Sequence, residues 1–185
     1  MSVRADRHGL PLVVVAICAA SMAQVARPRQ MNPAIQARLT GWQVDVNRDG
    51  AMDSCQLVIQ SGFSGIRCTL AGTNRPFNSQ NIDLGYPEGR AFVDFDGDGR
   101  PDYCRVIGNG YPKSYASCTF ADDNGFGATV TSPSLDWGYA ETRQWRDVNG
   151  DRKADFCRVV GNYRETLSCT FSQGRTFGRT VNSKR

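Results

Sequence analysis

Four acidic side chains crowd into one short stretch, Asp94-Phe-Asp96-Gly97-Asp98-Gly99-Arg-Pro-Asp102-Tyr-Cys104. The carboxylates stand at relative positions 1, 3, 5 and 9, with glycine at 4 and 6. Like charges packed this closely repel one another unless a cation stands between them. Alternate residues of a tightly turning loop can all point inward, and the glycines supply the backbone angles for the turn. The stretch recurs as Asp45-Val-Asn47-Arg-Asp49-Gly50-Ala-Met-Asp53-Ser-Cys55 and as Asp147-Val-Asn149-Gly150-Asp151-Arg-Lys-Ala-Asp155-Phe-Cys157. Asn47 and Asn149 keep an oxygen donor while removing a charge. The carbonyls of Ala51, Arg100 and Lys153 fall at position 7, where a backbone ligand is expected in a calcium loop. Calcium takes six to eight oxygen ligands in flexible geometry, so Ca2+ is the cofactor this pattern implies.

The spacing of the loops organises the rest. Their first aspartates are 49 and 53 residues apart. Runs rich in Val, Ile, Phe, Tyr and Thr lie between them, and none keeps a helical period. Such units, with about four short strands each, match the repeat length of a β-propeller blade. The expected fold is therefore all-β: three blade-type repeats, about 41–90, 91–143 and 144–181, in a domain spanning 41–185. Three blades leave open sheet edges, so two copies are expected to combine into a six-bladed ring, or the short array to form an open, oligomerising stack.

Six cysteines follow the same beat. Each repeat has one directly after its loop and another twelve to fourteen positions later. The repeat selects Cys55–Cys68, Cys104–Cys118 and Cys157–Cys169 as intra-repeat bridges. Disulfides belong to oxidising compartments, and the first residues agree. Arg4 and Arg7 precede an apolar run, Leu10 to Ala20, too short to span a bilayer. Ser21-Met22-Ala23 offers small residues for cleavage after Ala23. Residues 1–23 thus read as an export signal and 24–40 as an N-terminal segment. Ile17 before Cys18 is too large for a lipoprotein cleavage site. The expected location is outside the cytoplasm: extracellular, periplasmic or on the cell surface.

The Asp-x-(Asp/Asn)-x-Asp-Gly-x-x-Asp loops, with Phe126-Gly127 and Phe177-Gly178 after two of them, resemble the FG-GAP/VCBS family. Its blades occur in integrin α subunits, in fungal lectins and in bacterial secreted proteins. The resemblance covers about residues 41–180 and implies calcium ligands at Asp45, Asn47, Asp49 and Asp53, at Asp94, Asp96, Asp98 and Asp102, and at Asp147, Asn149, Asp151 and Asp155. Repeat one departs from it with Phe77-Asn78, and Arg152 replaces the glycine of the third loop. An EF-hand does not fit: its position-12 acid is replaced by Gln56, Arg105 and Arg158.

Several chemistries are excluded. The sole histidine, His8, precedes the cleavage point, so imidazole catalysis and a zinc site are lost from the mature chain. The paired cysteines offer no thiolate. No Gly-x-Ser-x-Gly elbow and no phosphate-binding loop is present. The net charge is +4, and removal of Arg4, Asp6 and Arg7 leaves about +3, with the arginines dispersed. A nucleic-acid partner is not expected, nor a membrane span. Tyr86 and Tyr139 recur in Asp-Leu-Gly-Tyr and Asp-Trp-Gly-Tyr motifs, and with Trp137 they are the candidate ligand-binding aromatics. Trp42, Phe92 and Trp145 precede the three loops and are expected to pack between repeats. The resulting expectation is a secreted, calcium-binding, non-catalytic binding module, lectin-like toward a glycan. The alternative is an adhesive module toward an extracellular protein or its own copies; a glycoside hydrolase ranks behind both, and no enzyme is expected.

Overall fold

The computed structural model describes residues 41–184; the expected export signal and N-terminal segment lie outside them. The described chain is all-β. Repeat one forms β1 (Trp42–Val44), β2 (Asp53–Gln60), β3 (Phe63–Thr69) and β4 (Pro76–Ser79). Repeat two forms β5 (Ala91–Val93), β6 (Asp102–Gly110), β7 (Lys113–Ala121) and β8 (Gly125–Thr131). Repeat three forms β9 (Gln144–Arg146), β10 (Asp155–Val160), β11 (Thr166–Ser172) and β12 (Phe177–Lys184), preceded by a single 3-10 turn, Ala140–Thr142. No helix among the described residues is long and apolar enough to cross a membrane.

Each repeat is an antiparallel four-strand meander, but they do not make three separate sheets. β4 pairs in parallel with β8 through Asn78 with Gly125 and Ser79 with Phe126. Repeats one and two therefore share one eight-stranded sheet, ordered β1-β2-β3-β4-β8-β7-β6-β5, and repeat three has its own, ordered β12-β11-β10-β9. The junction needs Gly125, because a Cβ there would stand 2.3 Å from the Asn78 carbonyl oxygen. The edge strands β1 and β5 come back toward each other, with the Trp42 and Phe92 rings 5.6 Å apart.

Strand alternation gives each repeat two faces. In β2, Asp53, Cys55 and Leu57 are buried on one face, whereas Ser54 and Gln56 are exposed on the other. The buried face of repeat one joins Val46, Leu57, Ile66 and Phe77 to Tyr103 and Phe126 of repeat two. The matching face of repeat two sets Phe95, Val106 and Ala116 against Trp145, Phe156 and Phe177 of repeat three. Repeats two and three thus each lay aromatic groups onto the repeat before. Tyr103 and Phe156 pack as buried rings where repeat one has exposed Ser54.

Register corrects one sequence equivalence. Trp42 lies opposite Cys55, as Ala91 lies opposite Cys104 and Gln144 opposite Cys157. Phe92 and Trp145 lie opposite Tyr103 and Phe156, one step further along. Trp42 therefore points to the other face of its strand: repeat one has one more residue between its tryptophan and its loop than repeats two and three.

The three bridges form as the spacing implies, each between residues directly opposite on neighbouring strands. Closing loops of this length contributes about 3 kcal/mol in the chain-entropy account. Replacing Cys104 and Cys118 together by serine is expected to lower the unfolding free energy by about that amount, read by denaturant titration with the other two bridges intact.

Candidate functional site

The acidic loops are built alike. The first aspartate accepts backbone N–H groups from further along the loop: Asp45 from Asp49 and Gly50, Asp94 from Gly97 and Gly99, and Asp147 from Asn149, Gly150 and Arg152, at 2.7–3.2 Å. The third position accepts the N–H two residues on: Asn47 from Asp49, Asp96 from Asp98 and Asn149 from Asp151. The fifth does the same for Ala51, Arg100 and Lys153. The turn needs left-handed backbone at positions 4 and 6. Glycine supplies it in four of those six places, and Arg48 (φ 62°) and Arg152 (φ 67°) adopt it in the others. Arg152 therefore keeps the third loop in the shape of the other two.

The ninth-position aspartates do something different. One oxygen of Asp53, Asp102 or Asp155 accepts the N–H of Val46, Phe95 or Val148 at the start of the loop. The other accepts the N–H of Ala71, Ala121 or Ser172 just past or at the end of the third strand. All three side chains are buried. Burial pushes Asp102 up from 3.8 to about 7, against the pull of its two N–H donors, and Asp155 moves in the same direction. Asp94 is also raised by partial burial. Exposed Asp147 and Asp49 are lowered, chiefly by the Arg152 and Ala51 N–H groups.

The loops sit side by side. The Arg48 guanidinium of loop one donates to the Asp98 carbonyl of loop two. The Ala154 N–H of loop three donates to the Asp94 carbonyl at 2.8 Å. Arg175 approaches Asp96 at 3.4 Å. In loop two, carboxylate oxygens of Asp94, Asp96 and Asp102 lie within 4.8 Å of one another. An all-oxygen set of this charge suits a hard cation such as calcium, and a carboxylate oxygen holding one N–H keeps a lone pair for a metal. Loops one and three keep the same order of donors with Asn47 and Asn149 in place of one carboxylate.

The candidate aromatics are held by packing contacts. The Tyr86 hydroxyl donates to Gly108 and the Tyr139 hydroxyl to Gly161. Trp137 meets Tyr86, ring centroids 4.9 Å apart, and lies beneath the Arg143 guanidinium. Tyr86 and Trp137 are thus brought together, while Tyr139 lies on β10 through its N–H to the Val159 carbonyl. Gly85 and Gly138 let the Asp-x-Gly-Tyr segments lie flat, since a Cβ would stand 2.6 and 2.3 Å from the Val106 and Val159 carbonyl oxygens. Arg105 and Arg158 recur at the same place in repeats two and three, and both lie inside the fold. Both are 2% exposed. Each donates from Nε to the linker, Asp83 or Asp136, and from Nη1 to a threonine hydroxyl, Thr119 or Thr170. Burial pulls both guanidinium groups down to about 10, which leaves them charged at neutral pH.

No family model matches the chain. It is similar to the NAD(+)–arginine ADP-ribosyltransferase Chelt of Vibrio cholerae, with 33% identity over 125 residues, covering 64% of this chain and 20% of the relative. The chain thus spans about one fifth of the length of the curated relative it matches. This similarity corrects the expectation of a non-catalytic binding module, whether lectin-like or adhesive, and the expectation of no enzyme: the relative is named for catalysis, of a kind that is not glycoside hydrolysis. The absence of histidine and free thiol from residues 41–185 removes only enzymes that rely on an imidazole base or a thiolate nucleophile.

Replacing Asp155 by alanine leaves two backbone N–H groups without their acceptor, at about 1–3 kcal/mol each where buried. The loss of unfolding free energy is therefore expected to be about 2–5 kcal/mol, whereas Asp123→Ala, which removes an exposed ion pair to Arg100, is expected to cost less than about 1 kcal/mol. Chemical denaturation of both variants checks the contrast. A pH series in chelator checks the burial of Asp102. Between pH 4 and 7 the folded chain holds a proton that the unfolded chain releases, so stability is expected to fall as pH rises through that window. The fall is expected to flatten in Asp102→Asn.

Proposed function

We propose that this chain acts in ADP-ribosyl transfer from NAD+ to arginine, as an exported domain of blade-type repeats with calcium-ordered loops. The observation that carries the reading is the 33% identity to an arginine-specific ADP-ribosyltransferase. In that reaction the bond between nicotinamide and ribose breaks and nicotinamide leaves with the electron pair. A guanidino nitrogen of arginine bonds to the same ribose carbon and gives up a proton. The three bridges support an oxidising location.

The repeated oxygen-rich loops support calcium, with Asp45, Asn47, Asp49 and Asp53, Asp94, Asp96, Asp98 and Asp102, and Asp147, Asn149, Asp151 and Asp155 as the residues that would hold it. Bound calcium would neutralise the clustered carboxylates, and its binding free energy would add to that of folding. The front-to-back stacking of four-strand meanders supports blade-type repeats of FG-GAP/VCBS character, with repeats one and two fused at β4 and β8.

The test for transfer uses the full, disulfide-intact chain with NAD+ and a small guanidine acceptor. Free nicotinamide and ADP-ribosylated acceptor in equal amounts, followed by mass spectrometry, are the expected result. Folded protein that yields no adduct and does not bind NAD+ would overturn the reading. Calcium is tested separately by melting: at a hundredfold excess over the dissociation constant of a site, stabilisation of about 2.7 kcal/mol per site is expected, reversed by chelator. An identical melt with and without chelator removes the calcium assignment.

A further inference from the structure

The three repeats differ on one face, and the difference has the form of a ligand site. Strand β1 and the residues after it turn Val44 and Val46 into the packing with repeat two. β5 likewise turns Val93 and Phe95 into the packing with repeat three. By register, Arg146 is the third member of the first set: Val44, Val93 and Arg146 lie opposite Asp53, Asp102 and Asp155. Val148 is the third member of the second set and is 39% exposed, where Val46 and Phe95 are fully buried. An apolar contact position has become a cation in the one repeat that no further described repeat packs against on this side.

That face holds a groove of about 470 Å³. Its floor is Val159 and Leu167, which correspond to Val106 and Ala116 beneath Phe156 in repeat two. Its walls are Gln144 and Arg146 from β9 and Glu141, Thr142 and Arg143 from the 3-10 turn and the residue after it. The walls are fixed. Thr142 accepts the Val159 N–H and donates to the Tyr139 carbonyl. Arg143 donates from Nε, Nη1 and Nη2 to the carbonyls of Trp137, Glu88 and Gly138. Arg146 is exposed on β9, which has β10 as its sheet neighbour. Covering this face with another apolar repeat would bury the Arg146 charge, a heavy cost without an anionic partner. An anion resolves it, and guanidinium is the group that pairs best with phosphate oxygens.

We infer that this groove binds a nucleoside diphosphate, and specifically the diphosphate of NAD+. Arg146 is the principal cation, Arg143 adds positive potential at the rim, and Val159 and Leu167 form an apolar floor. The volume is within the usual range of ligand sites, roughly 300–1,000 Å³. Glu141 fits the same ligand, since NAD+ carries a cationic nicotinamide ring as well as an anionic diphosphate. This inference rests on the ADP-ribosyl-transfer reading for its choice of nucleotide.

The test is calorimetric titration of the full, disulfide-intact chain with NAD+, ADP-ribose and inorganic pyrophosphate. Arg146→Val gives repeat three the residue that repeats one and two carry. It is expected to weaken both nucleotides about tenfold or more, the worth of hydrogen bonds to a charged group. Arg146→Lys is expected to keep part of the affinity, Arg67→Ala on repeat one all of it, and Glu141→Gln to weaken NAD+ but not ADP-ribose. Melting curves confirm that each variant folds. Nucleotide binding that is equal in wild type and Arg146→Val overturns the groove while leaving ADP-ribosyl transfer intact. Pyrophosphate binding without nucleotide binding overturns the nucleotide assignment. Transfer activity unchanged in Arg146→Val would likewise separate the groove from the reaction, whereas absence of both nucleotide binding and transfer removes the two together.

Discussion

A single buried carboxylate per repeat ties the local turn to the sheet. Asp53, Asp102 and Asp155 each accept one N–H from the start of the acidic loop and one from beyond or at the end of the third strand. The loop is thereby pinned to the far side of its own hairpin, and the disulfide two residues later clamps the same hairpin from within. Because burial disfavours the charge on Asp102, the arrangement works against its own ionisation. A cation beside the loop would remove that opposition, so the structural role of these residues and the metal-binding role proposed for them would meet in the same atoms.

The stacking of repeats depends on a second device. Arg105 and Arg158 are almost wholly buried, yet the contacts that hold them are carbonyl and hydroxyl oxygens and aromatic faces rather than carboxylates. Each grips the linker that enters its repeat, and each linker answers with a backbone N–H from Tyr86 or Tyr139. Repeat one has Gln56 at this place, exposed beside Gln43 and Ser54, so its outer face is polar. Repeat three exposes Gln144 and Arg146 on the opposite side. Terminal repeats with polar outer faces are what a short stacked array needs to stay soluble. The faces that an added copy would have to cover are therefore polar on one side and cationic on the other, which weighs against ring closure by a second chain.

The relative is named for a reaction that consumes NAD+, and the groove on repeat three combines guanidinium groups, a carboxylate and apolar side chains. The acidic loops and this groove draw on different residues. The loops engage backbone N–H groups and order the chain, whereas the groove leaves an arginine where the other repeats have valine. Division of that kind allows one repeat to diverge chemically while the shared turn holds its shape.

The sequence by itself determined the repeat, the strand-rich composition, the acidic turns and the three bridges, because these depend on neighbours within about fifteen residues. The same locality explains why Arg152 keeps its loop: the backbone angle is set by N–H groups a few positions away. Tertiary structure alone decided the rest. Whether Trp42 matches Phe92 turns on strand register, which one extra residue before the loop changes. The fusion of two repeats at β4 and β8 joins strands nearly fifty residues apart. The burial of Arg105 and Arg158 follows from a linker that folds over them. Arg146 looks in sequence like one more dispersed arginine. Its meaning comes from the face it occupies, since only the packed fold shows that its counterparts are valines packed against the next repeat, whereas no further described repeat packs on its own side.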